Sequence, residues 1–250
     1  MALNALIFDV DGTLADTERD GHRVAFNAAF TESGLDWHWD EATYGKLLQV
    51  AGGPERLAHY ARTYRGSTQS DQELLSLVHQ LHNSKTRHYL ECVSRGGVQL
   101  RPGVARVIAQ ARAQGVLLAI ATTTTRANVT ALLQATLGSD AVNWFAAIGT
   151  AQEVAAKKPD PAVYHWVLER LQVHSCDALA LEDSRIGLLA ATRAGLPCVI
   201  TATSYSAAED FAAAAAQLVD LDHHPDKLGS PVMLDDLRLW QSRAARRPPA

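Results

Sequence analysis

The chain opens on an unbroken apolar run, Leu6-Ile7-Phe8, that stops at two acids separated by one apolar residue, Asp9-Val10-Asp11, and then at Gly12. A short continuous run of this kind predicts a strand buried on both faces. After Asp16 the apolar spacing becomes helical and stays so for about eighty residues with no strand signal. It predicts helices over 17–33, stopped by Gly34, over 41–49, from Gly53-Pro54 to Gly66, and from the capping box Ser70-Asp71-Gln72-Glu73 to Cys92.

From Arg101-Pro102-Gly103 onward helices and short apolar strands alternate: strands at 116–121, 144–148, 178–181 and 197–200, helices at 102–115, 126–137, 159–171 and 184–194. One strand per helix is the pattern of a doubly wound α/β parallel sheet. A second capping box, Ser206-Ala207-Ala208-Glu209, predicts a helix through the alanine-rich stretch after it, and Leu218-Val219 a last edge strand. The expected organisation is an α/β core of residues 1–15 and 96–240, an all-helical unit of 16–95 inserted as a cap, and a loose tail at 241–250.

With 250 residues, 47% of them hydrophobic, the chain can bury a substantial core. No run approaches the ~18 apolar residues of a spanning helix, and no basic leader precedes the first strand, so a cytoplasmic protein without a membrane partner is expected. Cys92, Cys176 and Cys198 are odd in number and form no C-x-x-C pair, and they read as small buried residues in a reducing compartment. The net charge of −4 does not supply the basic face that nucleic acid requires.

Two carboxylates at a buried strand's C-terminal end share a face and reach one small site, which is where open parallel sheets bind ligands. Asp9 and Asp11 are therefore the first candidates, against the competing reading of a solvated Asp-Val-Asp-Gly turn. The strand at 116–121 ends in Thr122-Thr123-Thr124-Thr125, which offers hydroxyls and backbone N–H groups near a helix start for a phosphoryl group, or else forms an ordinary polar loop. Thr122, first after the strand, is the preferred donor, with Thr123 beside it. Lys157-Lys158-Pro159 can bring an ammonium to a phosphate, or be a solvated pair. The strand at 178–181 ends in Glu182-Asp183, which either complements the following helix or, beside Asp9, forms a hard-oxygen Mg²⁺ site. Glu18 and His22, four apart on the first inserted helix, read as substrate contacts or as a surface pair. His223-His224 reads as a loop.

Asp9-Val10-Asp11-Gly12-Thr13-Leu14, Thr122, Lys158-Pro159 and Glu182-Asp183, in this order, resemble the four motifs of the haloacid dehalogenase-like phosphohydrolases. The resemblance implies a Rossmannoid core with a helical cap. It implies Asp9 as nucleophile, Asp11 as general acid and base, Thr122 and Lys158 on the phosphoryl group, and Mg²⁺ held by Asp9, Asp183 and the Asp11 carbonyl. Glu182 is then a direct or an indirect ligand. Asp16-Thr17-Glu18, Gly52-Gly53-Pro54-Glu55-Arg56 and Arg101-Pro102-Gly103 are similar to the CbbY-type branch, phosphatases of xylulose-1,5-bisphosphate. Where that branch usually has lysine after the glycine pair this chain has Pro54, which removes a cation suited to a second phosphate. Gly52, Gly53 and Arg56 are accordingly the candidates to meet a distal phosphate. The expectation is a monomeric enzyme acting on a small phosphorylated sugar. A broader sugar-monophosphate phosphatase, a β-phosphoglucomutase-like transferase and a non-enzymatic relative are the alternatives.

Overall fold

In the computed structural model, which describes residues 2–50 and 52–245, the chain divides into two compact units, Met1–Asp16 with Gln99–Ala250 and Thr17–Val98. The first is built on a six-stranded sheet of β1 (Ala5–Phe8), β2 (Leu117–Ala121), β3 (Phe145–Gly149), β4 (Ala178–Glu182), β5 (Cys198–Thr201) and β6 (Ala216–Leu218). The order is β3-β2-β1-β4-β5-β6 and every pairing is parallel. The doubly wound α/β class expected from the apolar pattern is thus the observed one.

The strand order reverses at β1, which pairs with β2 on one side and β4 on the other. Such a reversal opens a crevice at the strands' C-terminal ends, because the connections on its two sides leave in opposite directions. β1 is fully buried, as its unbroken apolar run required. Ala5 and Ile7 meet one core face with α7 (Ala162–Leu171) and α8 (Arg185–Arg193). Leu6 and Phe8 point to the other, where α5 (Val104–Ala113) packs on β2 and α9 (Leu234–Ala244) on β4 and β5. Between β2 and β3 runs α6 (Arg126–Leu137), with Thr125 capping the Asn128 N–H.

The helical unit contains α1 (Arg23–Glu32), α2 (Glu41–Leu47), α3 (Gly53–Thr63) and α4 (Asp71–Ser94). α4 opens with the expected capping box between Ser70 and Glu73. Phe26, Phe30, Trp39, Tyr44 and Tyr60 form a buried aromatic cluster, and the Asn27 amide holds Trp39 by both its backbone N–H and its carbonyl. Trp37 and Trp39 are packing residues of this cluster.

Three expectations fail, each for a local reason. No helix follows Ser206: its hydroxyl caps the Thr203 N–H, and Glu209 accepts from the Arg185 N–H, so the side chains of the apparent capping box serve other turns. The supposed loose tail is helical as far as Ala244, because Leu237 and Trp240 are buried; residues 246–250 lie outside the described residues. Of the three cysteines only Cys198 is buried; Cys92 and Cys176 are half-buried.

Candidate active site

Each strand around the reversal delivers one chemical group. Asp9 follows β1 directly and donates its N–H to the Leu181 carbonyl of β4, which fixes its position between the two strands. Thr122 follows β2, its N–H bound to Gly149 O and its hydroxyl oxygen accepting from the Thr124 N–H. Glu182 ends β4 and Asp183 comes next. Asp9, Thr122, Lys158, Glu182 and Asp183 are all buried, and Asp11 is half-buried.

Lys158 joins these strand ends. Its ammonium donates to Asp9 Oδ1 at 2.7 Å, Glu182 Oε1 at 2.6 Å and the Ala121 carbonyl at 2.8 Å. Those three bonds use all three donors of a lysine. Glu182 is itself held from behind: the Tyr164 hydroxyl of α7 donates to Oε1, and Gly187 of α8 lies so close that any Cβ there would collide with the carboxylate. Burial pushes the Asp9 carboxyl up, to about 7, with Lys158 pulling it down and Glu182 and Asp11 pushing it further up. Burial pulls the Lys158 ammonium down, but Asp9 and Glu182 outweigh that and hold it above the usual lysine range. Burial and then Glu182 hold the Tyr164 phenol well above its ordinary value.

Carboxylate oxygens of Asp9, Glu182 and Asp183 lie within 4.8 Å of one another. Gly12, at φ +88°, brings its backbone against the Asp183 carboxylate where a Cβ would overlap it, so the turn after Asp11 and the Asp183 side chain shape one another. Three hard oxygen donors, with one lysine beside them, are the donor set a small divalent cation such as Mg²⁺ takes. One oxygen of Glu182 is also bonded to both Lys158 and Tyr164, and one of Asp9 to Lys158.

The candidates in the helical unit do not form one group. Glu18–His22 is a wide π-helical turn, and the two ends take different partners. Glu18 accepts from the Tyr44 hydroxyl and lies 3.9 Å from Arg56. His22 is buried, its Nδ1 2.9 Å from the Lys85 ammonium and its ring stacked on Tyr89. Arg56 is buried, donating to the Leu47 and Val50 carbonyls and to the Tyr44 hydroxyl. Gly52 sits at φ +101° at the start of α3, and Gly53 lets α3 approach His82 of α4. Thr123 is half-buried beside Thr122. Tyr164, Tyr44 and Lys85 were not found from the sequence, because a core-facing polar residue in a helix carries no separate signal; neither was Gly187, whose small size is explained only by the Glu182 carboxylate against it.

With this geometry in place the comparisons decide the family. The model of the haloacid dehalogenase-like hydrolases matches residues 3–195. The chain belongs to that family. Among its relatives, the plasmid-encoded protein CbbY of Cupriavidus necator is 56% identical over 209 residues, covering 84% of this chain and 82% of that protein. The crystal structure of CbbY from Rhodobacter sphaeroides in complex with phosphate is 41% identical with a TM-score of 0.81, covering 87% of this chain and 94% of that one. A mutant of the same protein in complex with xylulose-(1,5)bisphosphate has a TM-score of 0.80 over the same shares. This haloacid dehalogenase-like hydrolase falls in the CbbY-type branch, and it is a phosphatase.

The charge pattern of the hydrolase sets the stability of three variants. Lys158→Met leaves two buried carboxylates unpaired and should cost roughly 3–5 kcal/mol in urea unfolding with chelator present. Glu182→Gln keeps an acceptor and removes one buried charge, and should cost under about 1 kcal/mol; equal losses would contradict the ion-pair account. Arg56→Ala removes a guanidinium that ties α2 to α3 and should cost roughly 3 kcal/mol. An Arg56→Ala protein as stable as wild type would show those bonds to be idle.

Proposed function

We propose that the chain hydrolyses a sugar bisphosphate, xylulose-1,5-bisphosphate being the leading substrate, through an aspartyl-phosphate on Asp9 with Mg²⁺ as cofactor. The observation that carries the reading is a buried carboxylate at the sheet's reversal point, held by a lysine and lying against further carboxylates. Phosphoryl transfer asks mainly for positioning and charge compensation, and this site is built for both. The CbbY structure complexed with xylulose-(1,5)bisphosphate supports the choice of sugar.

An Asp9 oxygen attacks phosphorus as the bond from phosphorus to the sugar oxygen breaks. The electron pair goes to that oxygen, which takes the proton of Asp11. A water then attacks the phosphoryl group and gives its proton to the Asp11 carboxylate; the bond to Asp9 breaks and inorganic phosphate leaves. Lys158 holds Asp9 in place, and contact with a phosphoryl oxygen would exchange one of its three present bonds. Thr122 uses its hydroxyl oxygen as an acceptor, so what it offers the phosphoryl group is its proton. Mg²⁺ bound by Asp9 and Asp183, with the Asp11 carbonyl by analogy to the family, would neutralise charge between carboxylate and phosphate. Selection among sugars is assigned to the helical unit, with Glu18, His22, Gly52, Gly53 and Arg56 as its candidates and Thr123 from the core.

Phosphate release over a panel of sugar mono- and bisphosphates tests this directly. Xylulose-1,5-bisphosphate should exceed the monophosphates by about ten- to a hundred-fold in kcat/KM, as loss of a charge-assisted contact of roughly 1.5–3 kcal/mol implies. Chelator should stop turnover and Mg²⁺ restore it. Even turnover of monophosphates would make the enzyme a broader phosphatase, an isomeric product without phosphate release a mutase, and undiminished activity in chelator would remove the metal.

A further inference from the structure

Arg101 lies outside every motif of the proposed chemistry, yet it is buried at 8% exposure and its guanidinium is surrounded by main-chain carbonyls. Nη1 donates to Gly12 O, to Thr201 O at 2.5 Å and, at 3.3 Å, to the Thr201 hydroxyl. Nη2 donates to Ala202 O at 2.9 Å and Val219 O at 2.7 Å. Nε faces the Asp16 carboxylate at 3.6 Å. Both terminal nitrogens of the fork thus donate to oxygen, with a carboxylate within ion-pair distance of the third, a pattern that lysine with its three rotatable donors cannot copy. A buried cation with so many acceptors is positioned, since desolvating a guanidinium is unfavourable unless its donors are satisfied.

One of these acceptors matters for the reaction. Gly12 O belongs to the turn that carries Asp11 away from β1, and the same turn lies against Asp183. The turn closes on itself through Gly12 N–H to Ala15 O at 2.8 Å, and Ala15 bridges Leu100 while the Arg101 N–H donates to Leu14 O at 2.9 Å. The outgoing segment at 14–16 and the returning one at 100–101 are therefore joined by backbone bonds, and the Arg101 side chain fastens that joint to the ends of β5 and β6. Nothing else described in this turn has a charged side chain bonded to a carbonyl of the residue after Asp11.

We propose that Arg101 is a positioning residue for the general acid: by pinning Gly12 O to the β5 and β6 ends it fixes the turn after Asp11 and holds Asp11 at the leaving oxygen, while Asp9 is held separately by Lys158 and the Leu181 carbonyl. The inference rests on the assignment of Asp11 as acid. Its signature is selectivity for leaving group, because kcat/KM reports events up to departure of that group. A sugar alkoxide needs the proton of Asp11, whereas p-nitrophenolate is a stable anion and leaves without it.

The experiment measures kcat/KM of Arg101→Lys, Arg101→Gln and Asp11→Asn on the best sugar phosphate of the panel and on p-nitrophenyl phosphate, with circular dichroism of each variant. Arg101→Lys and Arg101→Gln should lose about ten- to a hundred-fold on the sugar phosphate, as a displaced catalytic group does, and less than about threefold on p-nitrophenyl phosphate. Asp11→Asn should show the same selectivity more strongly. Equal losses on both substrates, or none on either, with Asp11→Asn still selective, would overturn the role of Arg101 alone. An unselective Asp11→Asn would overturn the acid assignment and this inference with it. Failure of both arginine variants to fold would make Arg101 an architectural residue and would also overturn the proposal.

Discussion

A single ammonium group holds the catalytic end of the sheet together. Lys158 bonds Asp9 after β1, the Ala121 carbonyl closing β2 and Glu182 closing β4, three adjacent strands. Two buried carboxylates facing one buried cation leave excess negative charge in a low-dielectric place, where a Coulomb interaction at 4 Å is worth about 4 kcal/mol at an effective dielectric of 20. Asp183 adds to the excess. Burial first, and then the charges of Glu182 and Asp11, raise the Asp9 carboxyl to about 7 against the pull of Lys158, and a divalent cation followed by a phosphate is the chemistry that would use such a site.

The fold makes the cluster possible by bringing distant segments to one edge. β1 comes first in the chain and its neighbours follow from residue 117 and residue 178 onward, so the site depends on a parallel sheet whose order reverses at its first strand. Gly12 and Gly187 are small because Asp183 and Glu182 press on them. Tyr164 steadies Glu182 from α7, so the layer behind the acids belongs to helices packed on the sheet.

Much of this was legible in the sequence where a single physical rule dominated. The run Leu6-Ile7-Phe8 ending at Asp9 could be read because buried strands rarely end in paired acids, and Lys158 because it opens a helix after a strand. Reading failed where tertiary contacts took over a local signal. Ser206 and Glu209 have capping-box spacing, but their side chains bond elsewhere. The segment from 241 looked like a tail because it is basic and ends in prolines, yet its first residues to Ala244 continue a helix anchored by the buried Leu237 and Trp240. Arg56 was legible only as a candidate for a distal phosphate; that its guanidinium also bonds the Leu47 carbonyl and the Tyr44 hydroxyl carries no sequence signal.

The central claim is that Asp9 carries the phosphoryl group between sugar and water. Mass spectrometry of the peptide containing Asp9, after rapid quenching with substrate, tests it most directly. The account predicts one added phosphoryl mass on that peptide in the wild-type protein, and neither that mass nor turnover in Asp9→Asn. A phosphoryl group on another residue, or an Asp9→Asn protein that turns over normally, would contradict it.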